Sequence, residues 1–83
     1  MTLKEAVNAI MDFSKAQEKD IHNSYARMSH MVKTGELDNI TQDELDAAKA
    51  FIDANYDTVV AARKNNDDAL LDEALEAWEN GSH

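Results

Sequence analysis

Glu18 and His22 are the side chains whose types and spacing come nearest to metal binding or proton transfer. They are four residues apart, so on a continuous helix they share one face, and His30 lies two turns further along. A protein zinc site needs three or four converging ligands, and only two are adjacent here. We therefore interpret Glu18 and His22 as a surface ion pair and expect no bound metal and no other cofactor.

Nucleophilic and calcium-dependent chemistry also find little support. The chain has no cysteine, which excludes a thiolate nucleophile and a disulfide. The segment from Asn65 to Asp68 lacks the central glycine and the alternating carboxylates of a calcium loop. We predict that this protein is not an enzyme. The serines lie on predicted helix faces or at the end of the sequence, outside the context of a nucleophile elbow: Ser14, Ser24, Ser29 and Ser82.

Acidic side chains form the clearest pattern that bears on function. They recur at helical spacing, opposite the apolar residues of the second and third predicted helices. One interpretation is a solvated face that keeps a small protein soluble. The other is a surface that docks on a basic protein, with an association that added salt weakens. On this second interpretation the candidate partner-binding residues are Asp43, Asp46, Asp53, Asp57, Asp72 and Glu76.

Charge is distributed unevenly along the chain, whose net charge is −9. Residues 1–33 hold five of the eight Lys and Arg against four carboxylates, and residues 34–83 hold the other three against thirteen. Such a charge repels phosphate, so we predict no direct binding of nucleic acid. Carboxylates that recur along a helix also imitate a phosphate backbone, which leaves an acidic nucleic-acid mimic as an alternative.

Methionine and aromatic side chains flank the apolar stripe of the first predicted helix. Most such residues fill a core, but the adaptable methionine side chain also suits a groove that binds a partner. The predicted partner is therefore a protein with either a basic or an apolar docking surface. This interpretation makes Ile21, Tyr25, Met28 and Met31 candidate partner-binding residues, with Met11 and Phe13 beside them.

Helices must position all of these side chains. The chain has no proline and two glycines, and no stretch alternates long enough to predict a strand. Capping boxes predict helix starts at Thr2 and Thr41, and Gly35 is expected to end the first helix. The sequence predicts an all-α fold in one domain over residues 1–83. We expect a small three-helix bundle or helical hairpin with helices at about 3–33, 41–64 and 68–79.

The first predicted helix is long for a domain of this size. About thirty residues of unbroken helix extend roughly 45 Å, whereas a compact chain of this length has a diameter of about 30 Å. The helix therefore either kinks or stays straight. A kink is expected in the polar run from Ser14 to Asp20, with Asp20 as the cap of a second piece. A straight helix would leave part of its apolar stripe for a second copy of the chain or a different protein to cover, and a second copy would make a homo-oligomer.

No targeting segment is visible in the sequence. No basic region followed by an apolar one occurs after Met1, and no apolar run approaches the ~20 residues of a membrane span, so we expect a soluble, cytoplasmic protein. In size and composition the chain resembles the small acidic accessory proteins that phages and mobile elements use as inhibitors or regulators. That resemblance implies a non-catalytic protein that binds and regulates or inhibits a specific protein partner. The alternatives are a homo-oligomeric coiled-coil module and the nucleic-acid mimic.

Overall fold

Five α-helices occur in the computed structural model, which describes residues 1–81. The all-α prediction is confirmed, since the described residues contain helices and no strand. The finer prediction of three helices with a long first helix is not exact, because two of the three predicted helices are each interrupted. Ser82 and His83, the last two positions of the predicted domain, lie outside the described residues. The helices are α1 (Leu3–Gln17), α2 (Ile21–Thr34), α3 (Gln42–Ala54), α4 (Tyr56–Lys64) and α5 (Asp68–Glu79).

The first interruption separates α1 from α2 within the polar run in which the sequence places a kink. Glu18 adopts a left-handed backbone with a φ of +52°, and this ends α1. The Lys19 N–H then donates to the Ser14 carbonyl at 3.1 Å, and the Ser14 hydroxyl donates to the Lys19 carbonyl. Asp20 caps α2 by accepting a hydrogen bond from the backbone N–H of Asn23 at 2.7 Å. A side-chain cap thus restarts the helix in a new direction.

The second interruption, at Asn55, separates α3 from α4. The Asn55 backbone leaves the helical region at φ −127° and ψ 31°, and its side-chain amide donates to the Phe51 carbonyl at 3.1 Å. Asparagine competes in this way with the backbone hydrogen bonds of a helix. The break changes which face is buried: Tyr56, which continuous spacing would place in the core, is 51 % exposed, whereas Val59 is fully buried.

The described residues form two compact units, each of which we describe by itself. Unit 1 extends from Met1 to Lys49 and unit 2 from Ala50 to Gly81, so α3 begins in one and ends in the other. The single domain predicted over residues 1–83 stays a prediction.

In unit 1, α2 packs against α1, so the two halves of the predicted long helix cover each other. The first predicted helix is therefore not straight, and the homo-oligomer stays a prediction. Thr2 caps α1 in a capping box with Glu5, and the backbone and hydroxyl hydrogen bonds from Thr2 lower the pKa of the Glu5 carboxyl. The buried residues of this unit are Ala6, Val7, Ile10, Ile21, Ser24, Met28, Ile40, Leu45 and Ala48.

In unit 2, α5 packs against α4. Phe51, at the end of α3, meets Trp78 edge to face, with ring centroids 5.8 Å apart and an interplanar angle of 80°. Asp67 caps α5 by accepting a hydrogen bond from the backbone N–H of Leu70 at 3.1 Å. The buried residues of this unit are Phe51, Ile52, Val59, Ala62, Leu71 and Leu75.

Candidate functional site

An open groove of about 350 Å³ lies in unit 1 beside α1, α2 and the loop that joins α2 to α3. From α1 it receives Ala9, Asp12, Phe13 and Ala16. Their spacing of three and four residues places them on one face of the helix. The two alanines leave a depression that larger side chains border.

The other lining residues come from α2, the loop and Met1. Met28 is almost fully buried, at 3 % exposure, and Met31 is half-buried. After Gly35 ends α2 with a φ of +82°, the Leu37 N–H donates to the Met31 carbonyl at 3.1 Å. That hydrogen bond holds the loop against the end of α2. The residues contributed to the lining are Met1, Met28, Met31, Leu37, Asn39 and Ile40.

The groove is apolar inside and acidic at its loop side. Apart from Asp12 and Asn39, the residues that line it are apolar. Glu36 and Asp38 lie next to lining residues in the loop, and both are exposed. The groove therefore offers apolar contact with carboxylates close by.

A cluster of polar side chains joins α2 to α3 in the same unit. The Tyr25 hydroxyl donates to Oδ1 of Asp46 at 2.5 Å. The Gln42 amide donates to the same Asp46 oxygen at 2.9 Å and to the Ser29 hydroxyl at 3.0 Å. Tyr25 and Asp46, which the sequence assigned to two different candidate surfaces, thus bind each other. Sequence reasoning missed Ser29 and Gln42, although each lies four residues from a member of the cluster on the same helix.

Hydrogen bonding in this cluster shifts the pKa values of two groups in opposite directions. The bond from Tyr25, with that from Gln42, lowers the pKa of the Asp46 carboxyl. The bond to Asp46 raises the pKa of the Tyr25 phenol, because ionisation would place two negative charges side by side. The Lys49 ammonium lies 5.5 Å from the centroid of the Tyr25 ring, a cation–π distance. Asp46 therefore ties two helices together as well as facing solvent.

The six acidic candidates are all exposed, but they do not share one continuous helix face. Asp43 and Asp46 lie on the part of α3 in unit 1, and Asp53 lies near the end of that helix. Asp57, which the spacing of a continuous helix would place in line with Asp46 and Asp53, lies on α4 because the helix breaks at Asn55. On α5, Asp72 and Glu76 are four residues apart on one face.

The four apolar candidates divide among the core, the polar cluster and the groove. Ile21 is buried and Tyr25 belongs to the polar cluster, so neither lines the groove. Met28 and Met31 do line it. Sequence analysis missed Leu37 and the two alanines, Ala9 and Ala16, which also line the groove.

The pair considered for metal binding falls at the helix break. Glu18 ends α1 and His22 lies in the first turn of α2, so the spacing of four no longer places them on one helical face. Among residues 1–81, no three His, Asp or Glu side chains are grouped so that they could hold a metal ion. In the same stretch, no helix has both the length and the apolar character that crossing a membrane requires. Comparison with known proteins gave no matching family model, curated protein or solved structure.

Proposed function

We propose that this chain is a non-enzymatic protein that binds one protein partner and regulates or inhibits it. The observation that carries the proposal is the groove of unit 1, because an apolar depression open to solvent suits the apolar side chains of a partner. Met28 and Met31 give this lining side chains that adapt to the shape they contact.

The charge of the chain supports the same proposal. A net charge of −9 attracts a basic partner over long range and speeds the encounter. The exposed carboxylates of α4 and α5 contribute to that field. A composition without cysteine suits a reducing compartment, and we place the protein in the cytoplasm.

Affinity capture with matched variants tests the proposal. Ala16→Arg places a long, charged side chain in the groove from an exposed position on α1. Ala47→Arg makes the same substitution at an exposed position on α3 that does not line the groove. Helicity and melting temperature, measured for both, show that each variant is folded. Tagged wild-type protein and the two variants are then used to capture proteins from the cell that produces the chain.

We expect the wild type and Ala47→Arg to capture the same protein in stoichiometric amount, and Ala16→Arg to lose it. Equal capture by all three would remove the groove from the proposal. Capture of nothing but further copies of the chain would support the homo-oligomer instead. Capture of a DNA-binding protein that DNA releases would support the nucleic-acid mimic.

A further inference from the structure

We propose that the groove of unit 1 binds an amphipathic helix whose apolar face is flanked by Lys or Arg. This inference rests on the proposed function and names the chemistry of the partner. Its basis is the length, the lining and the charge of the groove.

The length of the groove fits a short stretch of helix. Ala9 and Ala16 are seven residues apart on α1, a distance of about 10 Å, or two helical turns. A helix laid along such a face presents apolar anchors at positions i, i+3 or i+4, and i+7. A volume of about 350 Å³ holds those anchoring side chains while the helix backbone stays outside.

The lining explains why the anchors are apolar and why their size is not narrowly fixed. Ala9 and Ala16 leave space, and Phe13 supplies a large flat contact. Met31 has three rotatable bonds and adapts to a branched or an aromatic anchor. Met28, which is buried, keeps the base of the groove in place.

Charge complementarity decides what flanks the anchors. Asp12 is in the lining, and the exposed Glu36 and Asp38 precede and follow the lining residue Leu37 in the loop. The N-terminal ammonium of Met1 is already paired with the Glu44 carboxylate at 2.5 Å. Residues 34–41 contain no Lys or Arg. A helix with basic residues beside its apolar face therefore meets opposite charge where it contacts this loop.

The same charges argue against two other occupants. A second copy of the chain carries its own net charge of −9 and is repelled. An anionic lipid surface is repelled for the same reason. A basic helical segment of another protein satisfies both the apolar lining and the acidic loop.

Three designed peptides of about 15 residues, near the length at which an isolated helix begins to form, test the inference on the full chain. The first has leucine anchors at helical spacing with flanking lysines. The second keeps the leucines and replaces each lysine by glutamate. The third has the composition of the first in a scrambled order. Binding is followed by the methyl NMR signals of Met28 and Met31, with Met11, which does not line the groove, as the internal reference.

We expect the basic peptide to shift the methyl signals of Met28 and Met31 and to leave that of Met11 in place. It should bind at least about tenfold more tightly than the acidic peptide at low salt, with a difference that narrows as salt rises. Equal binding of the basic and acidic peptides would overturn the charge argument. If the scrambled peptide bound as tightly as the basic peptide, the bound segment would not need to be an amphipathic helix. If only the Met11 signal shifted, the peptide would bind outside the groove.

Two pairs of variants sharpen the test. Ala16→Arg should lower the affinity for the basic peptide about tenfold or more, and Ala47→Arg should leave that affinity unchanged. Glu36→Lys with Asp38→Lys should weaken it several-fold and flatten its salt dependence. The control, Glu73→Lys with Glu79→Lys on α5, makes the same change in net charge outside the groove.

The results also separate this inference from the proposed function. If no peptide binds but Ala16→Arg still loses a captured protein, the basic helix is wrong and the partner-binding groove stands. If no peptide binds and capture is the same for every variant, both are wrong. Displacement of a captured protein by the basic peptide would support both.

Discussion

The Tyr25 hydroxyl on α2 donates a hydrogen bond to the Asp46 carboxylate on α3, with 2.5 Å between the oxygens. A phenol bonded to a carboxylate is a charge-assisted pair, stronger than a bond between neutral groups. It joins two helices that are linked in sequence through a loop, and Gln42 reinforces it from the next turn of α3. The pair is therefore a side-chain link between α2 and α3 in unit 1.

This pair predicts an elevated pKa for the Tyr25 phenol. In a Tyr56→Phe background Tyr25 is the remaining tyrosine, so its ionisation can be followed alone by ultraviolet absorbance. We expect its pKa to exceed 10.0, because the neighbouring carboxylate opposes phenolate formation. Adding Asp46→Asn should lower that pKa. An unchanged titration in the double variant would show that the bond is absent in solution.

The same bond predicts a stability difference that depends on acid pH. The lowered pKa of Asp46 stabilises the folded state above the ordinary value of 3.8, and this contribution is lost as pH falls through the lowered pKa. At neutral pH, Tyr25→Phe should lower the free energy of unfolding by less than about 1 kcal/mol, since the pair faces solvent. Denaturant unfolding at several pH values should show the difference from wild type shrinking below pH 3.8. A stability difference between wild type and Tyr25→Phe that stays constant with pH would show that it does not come from the bond to the Asp46 carboxylate.

Glu18→Gly is expected to stabilise the protein. Glu18 holds a φ of +52°, which costs a residue with a side chain about 1 kcal/mol more than glycine. In a continuous helix the same substitution would destabilise by about 1 kcal/mol, so the sign of the change tests the break between α1 and α2. Ala26→Gly, at an exposed position within α2, is the control and should lower the melting temperature.

Ser24→Ala is also expected to stabilise unit 1. Ser24 is fully buried, and within residues 1–81 its hydroxyl has no hydrogen-bond partner. Burying a hydroxyl without a partner costs about 1 to 3 kcal/mol, which alanine avoids with little loss of volume. Denaturant unfolding should show a higher midpoint with the same slope. A lower midpoint would mean that the hydroxyl is bonded in solution.

Phe51→Leu is expected to destabilise by about 1 to 2 kcal/mol, through lost volume and the lost edge-to-face contact with Trp78. Trp78 is the one tryptophan of the chain, so its fluorescence follows the unfolding. Tyr56→Leu is the matched control and should change stability little, because Tyr56 is 51 % exposed. An equal loss of stability in Phe51→Leu and Tyr56→Leu would place Tyr56 in the core and contradict the break at Asn55.

Local signals in the sequence predicted the helical class and several helix ends. The capping boxes at Thr2 and Thr41 and the glycine end at Gly35 are local interactions, and they occur where the sequence places them. A kink before Asp20 was one of two expectations for the first helix, the other being a straight helix. The polar residues from Ser14 to Asp20 allow a helix cap but do not require one. The break at Asn55 was missed, since asparagine inside a helix either points to solvent or bonds to its own backbone.

The groove was only partly predictable for a similar reason. Met28 and Met31 were candidates because the adaptable methionine side chain suits a partner-binding groove as well as a core. Ala9 and Ala16 gave no such signal, since an alanine is compatible with a core, a surface or the floor of a groove. The bond between Tyr25 and Asp46 depends on how α3 returns beside α2, which no local spacing specifies.

Photo-crosslinking inside the producing cell tests the partner-binding groove most directly. A photoreactive amino acid is placed at position 16, which lines the groove, or at position 47, which does not. We expect a single crosslinked protein from position 16, joined through a segment with a basic amphipathic pattern, and little crosslinking from position 47. Crosslinking from position 47 alone, or from both positions equally, would contradict it.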